Sequence, residues 1–124
     1  MALNKQKEQK AVRVKVKPFP IDAVVTTGVV QSKVQVLKLA NQGFLADTKE
    51  ILFRAGQPGE VHFILPVLNH EIKCHVMVVN VHDRIVGEQK RRQKVLHYTE
   101  FHFTDLSPEQ QINLNQFFQA IGQR

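Results

Sequence analysis

Short stretches in which apolar and polar residues alternate fill the middle of the chain. Residues 21–30 and 33–40 are rich in β-branched residues, and in the second of them Val34 and Val36 share one face. Because successive side chains of a strand point to opposite faces, both stretches are predicted to be strands of a sheet with a buried face. The turn signal at residues 41–43 predicts a third strand directly after them.

The strongest pattern in the chain is a pair of apolar stretches, 60–67 and 71–82, separated by a tight connection at 68–70. This arrangement predicts a β-hairpin. The longer stretch is apolar on both faces near its middle, which predicts a central strand. Residues 95–104 predict one more strand, and the basic stretch 84–94 between them is predicted to be a long, solvated hairpin tip.

The apolar period changes near the C-terminus. Ser107, Pro108 and Gln110 supply an N-cap residue, a proline at the first helical position and the Gln of a capping box. A helix is therefore predicted over 108–121, with Gly122 as its stop signal. Its apolar residues fall at helical spacing on one stripe: Leu114, Phe117, Phe118 and Ile121. Several strands followed by one such helix predict a small antiparallel barrel or sandwich capped by the helix.

The positive charge of the chain is local. The 124 residues carry 17 Lys and Arg against 11 Asp and Glu, a formal net charge of +6. Residues 1–17 hold six basic residues and one acidic residue, 84–94 hold five and one, and all other residues together are net negative. Because residues 1–17 begin with a lysine-rich stretch without apolar period, we predict a flexible basic arm there and a folded domain over 18–124.

Motifs for enzymatic chemistry are absent from the sequence. It has no nucleophile elbow, no phosphate-binding loop, no dinucleotide fingerprint and no zinc-protease motif, so no enzyme is predicted. The six histidines stand singly, and Cys74 is the one cysteine, so neither a metal site nor a disulfide is expected. Apolar neighbours predict a buried Cys74. Without a long apolar run or a signal-peptide core, we expect no membrane span and a cytoplasmic location.

Two segments resemble the ligand motifs of the PilZ domain family. Residues 13–17 have the spacing of its Arg-x-x-x-Arg motif, with Arg13 in the first place and Lys17 in the second. Residues 38–43 stand where the family has Asp/Asn-x-Ser-x-x-Gly, with Lys38 and Ala40 in place of the Asp and Ser and only Gly43 matching. Over residues 13–122 the chain thus resembles a PilZ domain. The resemblance implies a six-stranded antiparallel β-barrel with one C-terminal α-helix.

Many PilZ domains bind the bacterial second messenger cyclic di-GMP (c-di-GMP), and the departures from their motifs have a physical meaning. Lys17 keeps a charge but lacks the planar fork of arginine. Lys38 can only donate hydrogen bonds, whereas the family's Asp accepts them from guanine, and Ala40 lacks a hydroxyl. Each lost partner costs about 1–3 kcal/mol, so two losses weaken binding by about ten- to ten-thousandfold.

The predicted function is therefore a non-enzymatic, PilZ-like signalling or adaptor protein in bacterial c-di-GMP-related regulation. It is expected to have weak or lost c-di-GMP binding, no other cofactor, and a protein partner. The nucleotide-binding candidates, in degenerate form, are Arg13, Lys17, Lys38, Ala40 and Gly43. One alternative is a true c-di-GMP receptor that binds with its basic arm. Another is a binder of nucleic acid or another polyanion, although the acidic body argues against nucleic acid.

Overall fold

The computed structural model describes residues 14–15, 21–87 and 94–122, and these residues form seven strands and one helix. They are β1 (Val14–Lys15), β2 (Ile21–Thr27), β3 (Val30–Leu39), β4 (Gly43–Lys49), β5 (Pro58–Leu65), β6 (His70–Val86), β7 (Lys94–Phe103) and α1 (Pro108–Ala120). All strand pairs are antiparallel. Strands β2 to β7 follow the order β3-β2-β5-β6-β7-β4, and β4 pairs again with β3, which closes a six-stranded barrel. The predicted barrel with a C-terminal helix is confirmed.

Strand β3 closes the barrel because it has neighbours on both edges. Its first part pairs with β2, where Val36 lies opposite Ile21, and its last part pairs with β4. The register with β4 shifts between Val36 and Lys38, so a bulge lies next to the point where the pairing of β3 with β2 ends. Strand β1 also pairs with the last part of β3. Apart from Val14–Lys15, the predicted arm over 1–17 lies outside the described residues.

The core fills the barrel with the inward-facing residues of every long strand, as the alternating pattern predicts. Phe44 stacks on Phe101 with 4.9 Å between ring centroids, and Phe53 packs its edge on Phe101 at 5.4 Å. Burying these side chains is the main favourable contribution to folding. The largest fully buried side chains are Phe63, Phe101, Phe117, Ile21, Leu39, Leu65, Ile72, Leu114, Val25, Val36 and Val61.

Helix α1 covers one end of the barrel through the predicted stripe. Leu114, Phe117 and Phe118 are buried, and Gly122 ends the helix with φ +82°. The Ser107 hydroxyl accepts a hydrogen bond from the Gln110 amide at 3.1 Å, which is the predicted N-cap. The Gln110 side chain contributes more than a cap, because its Oε1 accepts from the Lys73 amide of β6 at 2.8 Å. It thereby ties the first turn of α1 to the sheet.

Two strand boundaries predicted from the sequence are wrong. The apolar stretch 21–30 is broken by a two-residue turn at Gly28–Val29, and Val30 already belongs to β3. Gly28 has φ +64° and Val29 does not have a positive φ, the combination found in hairpin turns that begin with glycine. The sequence pattern does not show this turn, because the exposed residue at the tip of the turn is itself a valine and the apolar run therefore continues without a break.

The prediction that the whole basic stretch 84–94 is a hairpin tip is wrong, because both of its ends belong to strands. Strand β6 continues to Val86 and β7 begins at Lys94, while residues 88–93 lie outside the described part. The Arg84 guanidinium donates to the Tyr98 hydroxyl at 3.2 Å and lies over its ring. Pairing with β7 holds these charged residues in a strand that polar composition alone does not predict. Within the described ranges, no helix is long and apolar enough to cross a membrane.

Candidate functional site

The segment that resembles the second ligand motif forms the tight turn between β3 and β4. The Ala40 amide donates to the Gly43 carbonyl at 2.8 Å, and the Gly43 amide donates back to Ala40 at 3.4 Å. The carbonyl of Gln42, at the tip, accepts from the Phe103 amide at 2.8 Å. The turn is thus fixed on both sides, to its own hairpin and to the end of β7.

A shallow depression lies beside this turn on the outer face of the barrel. Lys38, Ala40 and Gly43 line it together with Glu100 and His102 of β7. Its volume is about 10 Å³, enough for one water molecule and no more. A ligand of nucleotide size would therefore have to lie over the depression, on the barrel surface, with other groups of the protein covering it.

The strand register places charged residues in one row across this surface. Lys15 of β1 lies opposite Lys38 of β3, Lys38 lies opposite Leu45 of β4, and Leu45 lies opposite Glu100 of β7. Residues that lie opposite each other in a sheet point to the same face, and the flanking row through Leu39, Phe44 and Phe101 is buried. The row from Lys38 through Leu45 to Glu100 therefore belongs to the outer face, and the two residues of β1 pair with β3 beside it.

Gly43 has a structural reason to be glycine. A Cβ at this position would lie 2.0 Å from the Phe101 carbonyl oxygen and 2.9 Å from the His102 Cα, both backbone atoms that no rotamer change can move. Any side chain would push β4 away from β7 at the pair Gly43–His102. The one motif position that matches the family is thus required by the pairing of β4 with β7, whatever its part in binding a ligand.

Of the five nucleotide-binding candidates, the structure brings Lys38, Ala40 and Gly43 together, while Arg13 and Lys17 lie outside the described residues. Lys38 is half-buried and Ala40 is 4% exposed. Sequence reasoning missed Glu100 and His102, which line the same depression from β7. No local signal marks them, because they reach the turn only through the pairing of β7 with β4.

A second polar cluster joins the barrel to the segment before α1. The His75 ring places Nδ1 2.7 Å from Asp105 Oδ2 and Nε2 3.1 Å from Glu60 Oε2. The His75 amide also donates to Asp105 Oδ1 at 2.7 Å. The side-chain hydrogen bond and charge of Asp105, with a smaller contribution from Glu60, raise the pKa of His75. The hydrogen bonds from the His75 amide and ring lower the pKa of Asp105.

These shifts predict a pH-dependent contribution to stability. Because the pKa of His75 is higher in the folded state, protonated His75 stabilises the fold fully below about pH 6.5. This contribution is lost as the pH rises through the folded-state pKa of His75. Because the pKa of Asp105 is lower in the folded state, ionised Asp105 stabilises the fold fully above about pH 3.8. This contribution is lost as the pH falls through the folded-state pKa of Asp105. The pair should therefore stabilise most between about pH 4 and 6.5. In urea unfolding, His75→Gln should cost more stability at pH 5.5 than at pH 8.5.

Asp105→Asn is the matched variant for this prediction, since it removes the main partner and keeps the ring. Like His75→Gln, it should cost more stability at pH 5.5 than at pH 8.5. The double variant should lose little more free energy of unfolding than either single variant. If His75→Gln costs the same free energy at both pH values, the ion pair does not contribute in the expected way.

Cys74 lies in the core next to this cluster and is 7% exposed. The prediction of a buried cysteine is confirmed. Burial, with a smaller effect of the Asp105 charge, raises the pKa of the Cys74 thiol to about 12. Because the thiolate is the reactive form, this thiol is inert at neutral pH.

Solved structures show the same fold. The PilZ domain of YcgR from Escherichia coli with c-di-GMP superposes with a TM-score of 0.68 at 13% identity, over 87% of this chain and 86% of that one. MotI/DgrA, the inhibitor of motility of Bacillus subtilis, gives a TM-score of 0.66 at 16% identity over 91% of this chain. MrkH, described as a c-di-GMP-dependent transcription regulatory factor, gives 0.67 at 11% identity over 88% of this chain.

The chain has a PilZ-like fold, as the resemblance implied. It spans about half of the longer relatives, 52% of MotI/DgrA and 48% of MrkH. No protein-family model matches the sequence, and no curated protein matches it significantly. At 11–16% identity the superpositions establish the fold and not the ligand.

Proposed function

We propose that this protein is a non-enzymatic, cytoplasmic regulator in bacterial c-di-GMP-related signalling that binds c-di-GMP weakly and acts through contacts with a protein partner. The observation that supports it best is the outer surface around the β3–β4 turn. There the register brings β1 opposite Lys38, beside the β3–β4 turn, which stands where the second PilZ motif would be and carries altered side chains.

Charge and shape on this surface suit an anionic ligand that is held loosely. Lys38 supplies a cation within the depression, and Arg13 and Lys17 flank β1 in the sequence. We propose that Arg13 and Lys17 contact the phosphates, since a dianionic ligand attracts both of them. Binding is weak because Lys17 cannot form the bidentate contact of arginine, and because Lys38 and Ala40 lack the acceptor and the hydroxyl of the family motif.

The proposed adaptor role follows from the loss of the ligand-binding side chains in the two motifs. The resemblance extends to PilZ domains without the ligand motifs, which serve as protein-interaction modules. The superposed proteins include a c-di-GMP-bound domain, an inhibitor of motility and a transcription regulatory factor, so the fold itself is compatible with several kinds of output. A regulator with weak ligand binding would depend on its partner for most of its specificity.

A true c-di-GMP receptor is the second candidate, and the pairing of Lys15 with Lys38 favours it. This pairing holds two residues of the arm against β3. An arm that is already partly placed loses less conformational entropy on binding, which increases affinity. The two candidates therefore differ in dissociation constant and not in the surface used.

Calorimetric titration with c-di-GMP separates the candidates. The native chain should bind with a dissociation constant weaker than about 10 μM, and Lys38→Asp/Ala40→Ser should bind at least about tenfold more tightly, because it restores an acceptor and a hydroxyl. Lys33→Asp is the matched control: it makes the same charge change on β3 at an exposed position near the opposite end of the strand.

The outcomes have distinct meanings. Micromolar or tighter binding by the native chain would favour the receptor over the weakly binding adaptor. Absence of binding by the native chain and by the double variant, at millimolar ligand, would contradict c-di-GMP binding at this surface. Equal tightening by Lys33→Asp would show that the effect of the double variant is not a repaired site.

A further inference from the structure

The second half of β6 presents an open strand edge. β5 pairs with the first part of β6 as far as Met77, and the backbone of residues 56–57 bonds to Val78. After the bulge that follows Val78, residues Asn80–Val86 pair with β7 on one side, and no other described strand pairs with them. In an antiparallel strand every second residue directs its N–H and C=O to the other side. We call Asn80–Val86 the open edge.

We propose that the open edge is the docking site of the protein partner, and that the docking element is an extended segment in which acidic and apolar residues alternate. This segment adds a strand to the sheet beside β6. In strand addition the main-chain hydrogen bonds supply affinity, and the side chains on the two faces supply specificity. The inference rests on the proposed function, because it gives the partner of that function a surface and a chemistry.

One face of the open edge is apolar at its outer end. Ile85 lies opposite Val95, and Asp83 lies opposite His97. Because His97 is buried, these residues lie on the face that continues the barrel interior. Ile85 is 63% exposed and Val95 is 46% exposed, so much of this pair faces solvent. An added strand with an apolar residue beside Ile85 would bury part of that surface.

The other face of the open edge is basic. Arg84 and His82 lie on it, and the bond from Arg84 to the Tyr98 hydroxyl uses one of the five N–H donors of the guanidinium. Asp83, the one acidic residue of the open edge, points to the opposite face, where its Oδ1 lies 2.8 Å from Nδ1 of His97. An acidic residue of the added strand beside Arg84 therefore meets donors and no carboxylate of the open edge.

Charge selects against a second copy of this chain as the occupant. Two identical edges pair in antiparallel fashion about a twofold axis normal to the sheet, which places residues of the same face opposite each other. Asp83 and Arg84 point to opposite faces, so no such register pairs them. Registers centred on either residue place two like charges opposite each other, which is destabilising. A segment of another protein has no such restriction and can place its acidic residue opposite Arg84.

The test is an NMR titration of the isotope-labelled full chain with a short synthetic peptide in which Glu and Val alternate. The amides of the open edge should shift and saturate, with a dissociation constant below about 1 mM. A peptide of the same composition with all Glu before all Val should bind at least about tenfold more weakly, because it cannot match both faces. The alternating peptide N-methylated at every residue keeps its charge but cannot donate main-chain hydrogen bonds, and should not bind.

Arg84→Glu tests the basic face. It should weaken binding of the Glu-Val peptide at least about tenfold and allow binding of an alternating Lys-Val peptide, a gain that a loss of folding cannot produce. Lys73→Glu is the matched control, since it makes the same charge change at an exposed position of β6 where β5 already occupies the edge. It should change the affinity for neither peptide. Arg84→Glu should leave the binding of c-di-GMP unchanged.

The outcomes separate this proposal from the proposed function. If the Glu-Val peptide does not bind at millimolar concentration while c-di-GMP binds weakly, the assignment of the open edge is wrong and the proposed function stands. Saturable peptide binding by a chain that does not bind c-di-GMP would support the open edge and contradict the proposed ligand. Equal binding of the N-methylated peptide, or no effect of Arg84→Glu, would overturn strand addition at this edge. Dimerisation of the isolated chain through the open-edge amides would make a second copy the occupant and overturn the proposal as well.

Discussion

Gly43→Ala is expected to destabilise the protein by about 3 kcal/mol or more, because the added methyl group meets backbone atoms that cannot rotate away. The Cβ would lie 2.0 Å from the Phe101 carbonyl oxygen. Relief requires β4 to separate from β7, which breaks the seam where the turn, Glu100 and His102 meet. Urea unfolding monitored by circular dichroism measures the loss directly.

Gly28→Ala is the control for this prediction. Gly28 has φ +64°, but a Cβ there has no heavy atom within 4 Å, so the variant measures backbone strain without a clash. It should cost about 1 kcal/mol, clearly less than Gly43→Ala. If both variants cost the same, the close approach of β4 and β7 at Gly43 is not the cause.

Phe117→Ala is expected to cost about 3–5 kcal/mol and to lower the melting temperature by about 10–20 °C, because it leaves a large cavity beneath α1. Phe117 is fully buried and packs beside Phe118 with 6.0 Å between ring centroids. The loss should appear as one cooperative transition, since the helix stripe is continuous with the barrel core.

Gln116→Ala, on the exposed side of the same helix, is the matched control and should change stability by less than about 0.5 kcal/mol. A small loss for Phe117→Ala, below about 1 kcal/mol, would contradict a cooperative role of α1 in the fold. A separate low-temperature transition of the helix would contradict it as well.

Local patterns determined much of the fold. Alternation of apolar residues marked the strands, and the change to helical spacing after Ser107 marked α1 with its buried stripe. These features depend on residues close in sequence, through side-chain direction and capping, so one sequence suffices to find them. The pattern failed at Gly28–Val29, where apolar residues cross a tight turn, and at Arg84 and Lys94, where pairing with the facing strand keeps polar residues extended.

The candidate site was only partly accessible from the sequence. Lys38, Ala40 and Gly43 were found because they are contiguous and stand in the place of a motif. Glu100 and His102 join them only through the register of β7 with β4, and Lys15 only through β1 with β3. Register is a long-range property set by the packing of both faces and by bulges, which no local pattern reports.

Local residue patterns are thus enough to identify most strands and the helix, because each depends on neighbouring residues, while the basic arm and the lost guanine acceptor stay predictions. The tertiary structure decided which carboxylate lies beside Lys38 and why Gly43 must be glycine, because both depend on strands distant in the chain meeting within a few ångströms.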